Sequence, residues 1–294
     1  MQPALLPNVA EREPPLKWAG GKRWLVPRLR ELYEPHRHRR FVAPFCGGLG
    51  DVLGVWPRRA LLNDANPQLI NFYRWWAIGG IDPTHDLFQD NETVYYQNRQ
   101  RFVELCQWAE TGTQEAAELF YYLNRTGFNG LCRYNAQGGF NVPYGRKGKK
   151  GEDAKPRDYV TPLGLDGRRL PYGWSFTCGD FSALRVYSYS FCNIPADFIY
   201  ADPPYDGTFA DYVGGGFAWD QQVALVNWLA AHRGPVVLSN AATDRIIELY
   251  TAYGYTVDLV DAPRRIACNG DRAKAKEVLA TKNLEGDDGK PLDV

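Results

Sequence analysis

Short apolar runs recur along the chain, most of them closed by glycine, proline or a charged residue. Runs of about four to eight apolar residues between turn signals read as buried strands. Phe41–Phe45, Ala60–Asn63, Ser175–Gly179, Asp197–Ala201 and Pro235–Ser239 fit that pattern, and Tyr255–Val260 and Glu277–Thr281 read as closing strands. Between them, apolar residues at helical spacing predict helices from Lys22 to about residue 33, over 50–56, over Gln68–Ala77 and over 243–253. A further helix, capped by Asp220, is expected to run to about His232. Strands alternating with helices predict an α/β fold built on a mainly parallel sheet.

The alternation fails over residues 79–174, where the chain turns polar and aromatic and strand-like runs are few. Glu115–Asn124 is helical in pattern, and Ala136-Gln137-Gly138-Gly139 predicts a hairpin turn. The segment therefore reads as an insert dividing a discontinuous unit of residues 16–78 and 175–283. The proline-rich start, 1–15, and the acidic end, 284–294, read as disordered tails.

Composition narrows the function classes. With 34 basic and 34 acidic residues the net charge is zero, which argues against a broad non-specific nucleic-acid footprint. Local basic patches remain at 22–40 and 146–157. Six cysteines without a Cys-x-x-Cys pair give no zinc ligand set, and no metal site is expected. No basic leader followed by an apolar core begins the sequence and no run reaches membrane-spanning length, so a cytoplasmic chain with no membrane contact is expected.

The most informative stretch is Asp202-Pro203-Pro204-Tyr205, at the end of the 197–201 strand. Two prolines force the chain out of the sheet there, and ligands bind at the carboxyl ends of strands in open α/β sheets. The Asp202 carboxylate and the Pro203 carbonyl are two acceptors suited to an exocyclic NH2 group, and the Tyr205 ring is a stacking face. Such a corner fits transfer of an electrophilic group to the amino nitrogen of a flipped base. The plainer reading is a proline turn with a packed tyrosine.

Other segments favour chemistry. Gly20-Gly21-Lys22 lets the backbone pass close to a ligand, with Lys22 placed for a charged amino-acid moiety rather than a triphosphate. Cys46-Gly47-Gly48-Leu49-Gly50 is a glycine turn between strand and helix, a nucleoside or amino-acid cradle. Asp64 ends the next strand. Asn66 before Pro67 is the better helix cap, which leaves Asp64 for ribose hydroxyls. Asp180 either accepts from an adenine amino group or caps the helix starting near Ser182. In the insert, Arg125, Asn129, Arg133 and Asn135 with exposed aromatics form a set able to read base edges and wedge into a stack, and Arg146 and Lys147 open a run suited to phosphates. Residues 206–216, rich in glycine, read as a loop over the site.

Together, Lys17-Trp18-Ala19-Gly20-Gly21-Lys22, Pro44-Phe45-Cys46-Gly47-Gly48, the Asn124–Gly145 ribbon and Asp202-Pro203-Pro204-Tyr205 resemble the Dam-type DNA adenine-N6 methyltransferases of the D12 class, alpha group. The resemblance implies a Rossmann-like methyltransferase sheet with an inserted, mainly helical target-recognition domain carrying a β-hairpin. It implies S-adenosylmethionine as donor, near Trp18, Lys22, Phe45, Asp64, Asp180 and Asp202. Asp202, Pro203 and Tyr205 are then catalytic. It further implies Arg133 as a guanine reader, Phe128 and Asn129 as wedge residues, and Leu131 and Pro143 against bases. The implied partner is double-stranded DNA, bound by a nucleoid-associated monomer, with GATC as target. The family often has an acidic residue before the Pro-Phe pair, and this chain has Ala43. The rival readings are cytosine-N4 or RNA-adenine methylation, a protein-glutamine methyltransferase, and an idle sequence-specific DNA-binding protein.

Overall fold

The structure, a computed structural model, describes residues 13–82, 89–107, 112–135, 137–145, 170–188, 195–207, 217–263 and 275–285. Its seven strands are β1 (Phe41–Ala43), β2 (Ala60–Asp64), β3 (Trp174–Cys178), β4 (Phe198–Ala201), β5 (Val236–Ala241), β6 (Thr256–Ala262) and β7 (Ala275–Lys282). They form one sheet in the order β3-β2-β1-β4-β5-β7-β6. The first five are parallel, with Phe41 beside both Ala60 and Phe198. β7 runs antiparallel between β5 and β6, which places Glu277 opposite Ala241. This is the Rossmann-like sheet that the resemblance implies.

Alternate residues of each central strand face opposite layers. Phe41, Leu62, Phe198 and Tyr200 point into one core, and Val42, Ile199, Val236 and Leu238 into the other. The first core is covered by α1 (Val26–Tyr33), α2 (Gly50–Val55) and α3 (Pro67–Ala77), the second by α6 (Trp219–Ala230) and α7 (Asp244–Ala252).

Two predicted helix starts shift, and one helix was not expected. Lys22 precedes a short 3-10 turn, Arg23–Leu25, and the first α-helix starts only at Val26, with Pro27 in its opening turn. Asp220 does not cap α6. The cap is Ala218, whose N–H is taken by the Gln221 side chain at 3.1 Å, and Asp220 sits inside the first turn where its charge favours the helix dipole. Residues 92–107 form a long helix, α4 (Glu92–Gln107), that the sparse apolar spacing did not announce; Asn91 starts it by accepting from the N–H groups of Thr93 and Val94.

The insert does not sit on a core of its own. α5 (Gln114–Thr126) packs on α3, with the Phe72 and Tyr121 rings stacked 5.6 Å apart. Phe102 of α4 and Phe140 of the ribbon join the same buried cluster as Phe41 and Phe198. The ribbon itself is antiparallel, bridged at Gly127–Tyr144 and Tyr134–Phe140.

Candidate functional site

β1 has β2 on one side and β4 on the other, so the chain departs in opposite directions from neighbouring strands and a crevice opens at their carboxyl ends. A cavity of about 510 Å³ lies there. Its walls are the segment 18–22, the glycine turn 44–51 after β1, Asp64 and Ala65 after β2, Asp180 and Phe181 after β3, and 202–205 after β4. The volume falls within the range of about 300–1,000 Å³ typical of small-molecule sites.

Glycine makes the turn possible. Gly47 has a positive φ of 43°, and a Cβ on Gly48 would lie 2.5 Å from that of Trp18. Trp18 thus lies directly on the turn. The Tyr73 hydroxyl donates to the Gly47 carbonyl at 2.6 Å from below. Asp64 closes the other side, its two oxygens accepting from the N–H groups of Gly47 (3.0 Å) and Asn66 (2.9 Å). Asn66 caps α3 through the N–H groups of Gln68 and Leu69. Asp180 accepts from the Ser182 N–H at 2.9 Å, capping the 3-10 turn Phe181–Ala183, while also lining the cavity.

The tetrapeptide after β4 meets Lys22. Its Nζ stands 3.7 Å from Asp202 Oδ1, 3.7 Å from Glu277 Oε2 and 4.3 Å from the centre of the Tyr205 ring. The Tyr205 hydroxyl donates to Glu277 at 2.7 Å, and the Ser239 hydroxyl donates to Asp202 at 2.6 Å. The Pro204 carbonyl accepts from Gln222 at 2.9 Å, whereas among the described residues the Pro203 carbonyl accepts no hydrogen bond. Burial raises the Asp202 carboxyl above its ordinary range, against the opposing pull of Lys22 and Ser239. Burial also raises Asp64, and it raises Asp51 to about 7 with help from the Asp202 charge.

The model of D12 class N6 adenine-specific DNA methyltransferases matches residues 18–261. The chain belongs to that family. It is 35% identical over 281 residues to the DNA adenine methylase of Vibrio cholerae, covering 90% of this chain and 94% of that one. It is 32% identical over 281 residues to the retron Ec67 DNA adenine methylase of Escherichia coli, covering 90% of each. The DNA N-6-adenine-methyltransferase of Escherichia phage P1 is 35% identical over 90% of this chain, but the aligned part is 34% of that longer protein.

In this methyltransferase, Trp18, Lys22, Phe45, Asp64, Asp180, Asp202, Pro203 and Tyr205, all named from sequence, line one cavity. Glu277, Ser239 and Asp51 were missed. Glu277 reaches the site only because β7 is wedged beside β5. Ser239 lies within β5 alongside Asp202, a polar residue after an apolar run and the one legible signal among the three. Asp51 reads as a dipole-favouring acid in the first turn of α2. Ala43 is buried in the core and does not line the cavity.

The ribbon gathers its exposed side chains separately. Phe128, Asn129, Leu131, Arg133 and Pro143 are exposed, and Phe128 and Pro143 are joined by an N–H···O bond of 2.9 Å. Asn129 is left-handed, with φ 53°, which turns the tip sharply. The other aromatics of the ribbon are a correction: Tyr134, Phe140 and Tyr144 pack against the core rather than outward. Asn135 spends its side-chain oxygen on the N–H groups of Gln137 and Gly139, holding the turn. Arg125 is half-buried, and its carbonyl accepts from Lys17. Arg146 and Lys147, like loop residues 208–216, lie outside the described residues. Among the described residues no helix is long and apolar enough to cross a membrane, and no group of acidic, histidine or cysteine residues could hold a metal.

Proposed function

We propose that this chain transfers a methyl group from S-adenosylmethionine to N6 of an adenine flipped out of duplex DNA. The observation that carries the reading is the single cavity shared by the Asp202–Tyr205 corner, Lys22 and Asp64. The donor fits the residues present: a glycine turn at a helix start, a carboxylate after β2, and more buried carboxylates than cations, matching a ligand with positive centres. When bound, S-adenosylmethionine supplies an electrophilic methyl on a sulfonium.

The protein's part is orientation. Asp202 and the Pro203 carbonyl accept the two N–H bonds of the adenine amino group, which frees its lone pair for attack and stabilises the positive charge that develops. The base stacks on the Tyr205 face opposite Lys22. Glu277 fixes that ring through its hydroxyl. Asp64 takes the donor ribose, with Trp18 and Phe45 as apolar walls and Asp180 beside the donor adenine. Residues 79–174 act as the target-recognition unit. Phe128 and Asn129 wedge the duplex, Leu131 and Pro143 meet bases, Arg133 reads a guanine, and Arg125, Asn135, Arg146 and Lys147 contribute further DNA contacts. GATC is the proposed target, and the chain acts as a monomer in the cytoplasm.

The decisive variant is Asp202→Ala. Methyl transfer should fall by about a thousandfold, while donor binding by calorimetry is partly kept. Turnover at the native rate would remove the proposal. Nucleoside digestion of the product should yield N6-methyladenine; N4-methylcytosine would identify the rival base.

A further inference from the structure

The charges around the cavity do not balance. Lys22 is a buried cation there, and it already stands between Asp202 and Glu277. Asp51 adds a further carboxylate, beside those of Asp64 and Asp180 on the same cavity. It is 7% exposed, lines the cavity from the first turn of α2, and follows directly on the glycine turn. The main-chain N–H groups of Asp51 and Val52 favour its ionised form, but among the described residues no cation lies within ion-pair distance of it. A buried carboxylate without a cation is among the costliest groups a fold can hold, and the dipole of a short helix compensates only part of that cost. Nothing in the packing of Val52 and Leu53 behind it calls for an acid.

We infer that Asp51 anchors the ammonium group of the methyl donor, an assignment that rests on the S-adenosylmethionine reading above. An ammonium brings both the missing positive charge and N–H donors, which a sulfonium lacks. The ionisable groups that act on Asp51 are Asp202 after β4, Lys22 from the segment over the cavity, Cys46 in the turn, Tyr73 of α3 and Tyr200 of β4. Burial and the Asp202 charge hold Asp51 near 7, so a cation that needs its ionised form binds better as pH rises through neutrality.

The test is calorimetric titration of the full chain with S-adenosylmethionine and with 5′-methylthioadenosine, which lacks the amino-acid moiety. Asp51→Asn should weaken S-adenosylmethionine about tenfold or more and leave 5′-methylthioadenosine unchanged. In the native chain, S-adenosylmethionine affinity should rise between about pH 6 and about pH 8, 5′-methylthioadenosine affinity should stay flat, and the variant should lose the rise. Equal loss of both ligands would mark Asp51 as merely structural and overturn the assignment, as would native affinity in the variant. Should the variant not fold, the two ligands' pH responses in the native chain decide, and equal responses overturn it. A native chain that binds neither ligand overturns the donor reading itself, a result distinct from all of these.

Discussion

Asp51 is held protonated to about pH 7 by burial and by its neighbour Asp202. In the unfolded chain an aspartate titrates near about 3.9. Between those values the folded chain keeps a proton that the unfolded chain has lost. Stability of the donor-free protein therefore declines as pH rises from about 4 to about 7, by at most about 4 kcal/mol from this group. Asp51→Asn should raise the denaturant midpoint at pH 7.5 and change it little at pH 4; a variant less stable at pH 7.5 would contradict the sign. This residue also marks where sequence reading stops. Asp202, Asp64 and Lys22 were legible because each follows an apolar run or a glycine pair. Glu277 was not, since nothing in its own strand tells that the strand will be reversed and set beside β5. Asp51 was hidden by a bland alternative, the acid expected at any helix start.

Among elements, the segment over the cavity and the recognition ribbon are tied by one side chain. Asn124, near the end of α5, accepts from the Lys17 N–H at 2.8 Å and donates to the carbonyls of Lys17 (2.9 Å) and Gly130 (3.0 Å). Close packing reinforces the tie, because a Cβ on Gly130 would lie 2.3 Å from that of Lys17. Asn124→Ala strands one buried main-chain group, the Gly130 carbonyl, at about 1–3 kcal/mol before relaxation, and two part-buried ones on Lys17 at less. A net loss of about 2–4 kcal/mol in denaturant unfolding is expected, with weaker binding of donor and of DNA together. Arg133 lies beyond this tie, on the exposed strand, where its Nε donates to Asn141 at 2.8 Å. Arg133→Ala should relax preference at one base position by about 1–3 kcal/mol, read by competition between matched and substituted duplexes, and leave donor affinity alone. The glycines at 138 and 139 announced the ribbon's turn, but not that Tyr134 and Phe140 face inward, because side-chain direction there is set by α4, the helix the apolar pattern failed to show.

For the molecule as a whole, the α/β class follows from strand runs and helical spacing, though the strand order does not, and the break at residue 79 is visible in composition. The continuity of the core across that break is not, because it depends on contacts between α3 and α5 far apart in sequence. With Phe72, Phe102, Phe140 and Phe198 in one cluster, the insert and the sheet should unfold together. Far-ultraviolet circular dichroism and tryptophan fluorescence should report coincident transitions, and replacing 79–173 by a short linker should abolish cooperative unfolding. Two separate transitions would show independent units. The reversed strand β7 carries a different consequence. Among the described residues it is the only neighbour of β6, and it brings Glu277 to Tyr205. During translation, six of the seven strands therefore leave the ribosome before the site can be completed. A nascent chain stalled short of residue 282 exposes the open edge of β5 and leaves Tyr205 without its carboxylate, so the cell acquires a methylating enzyme only when the last strand has emerged.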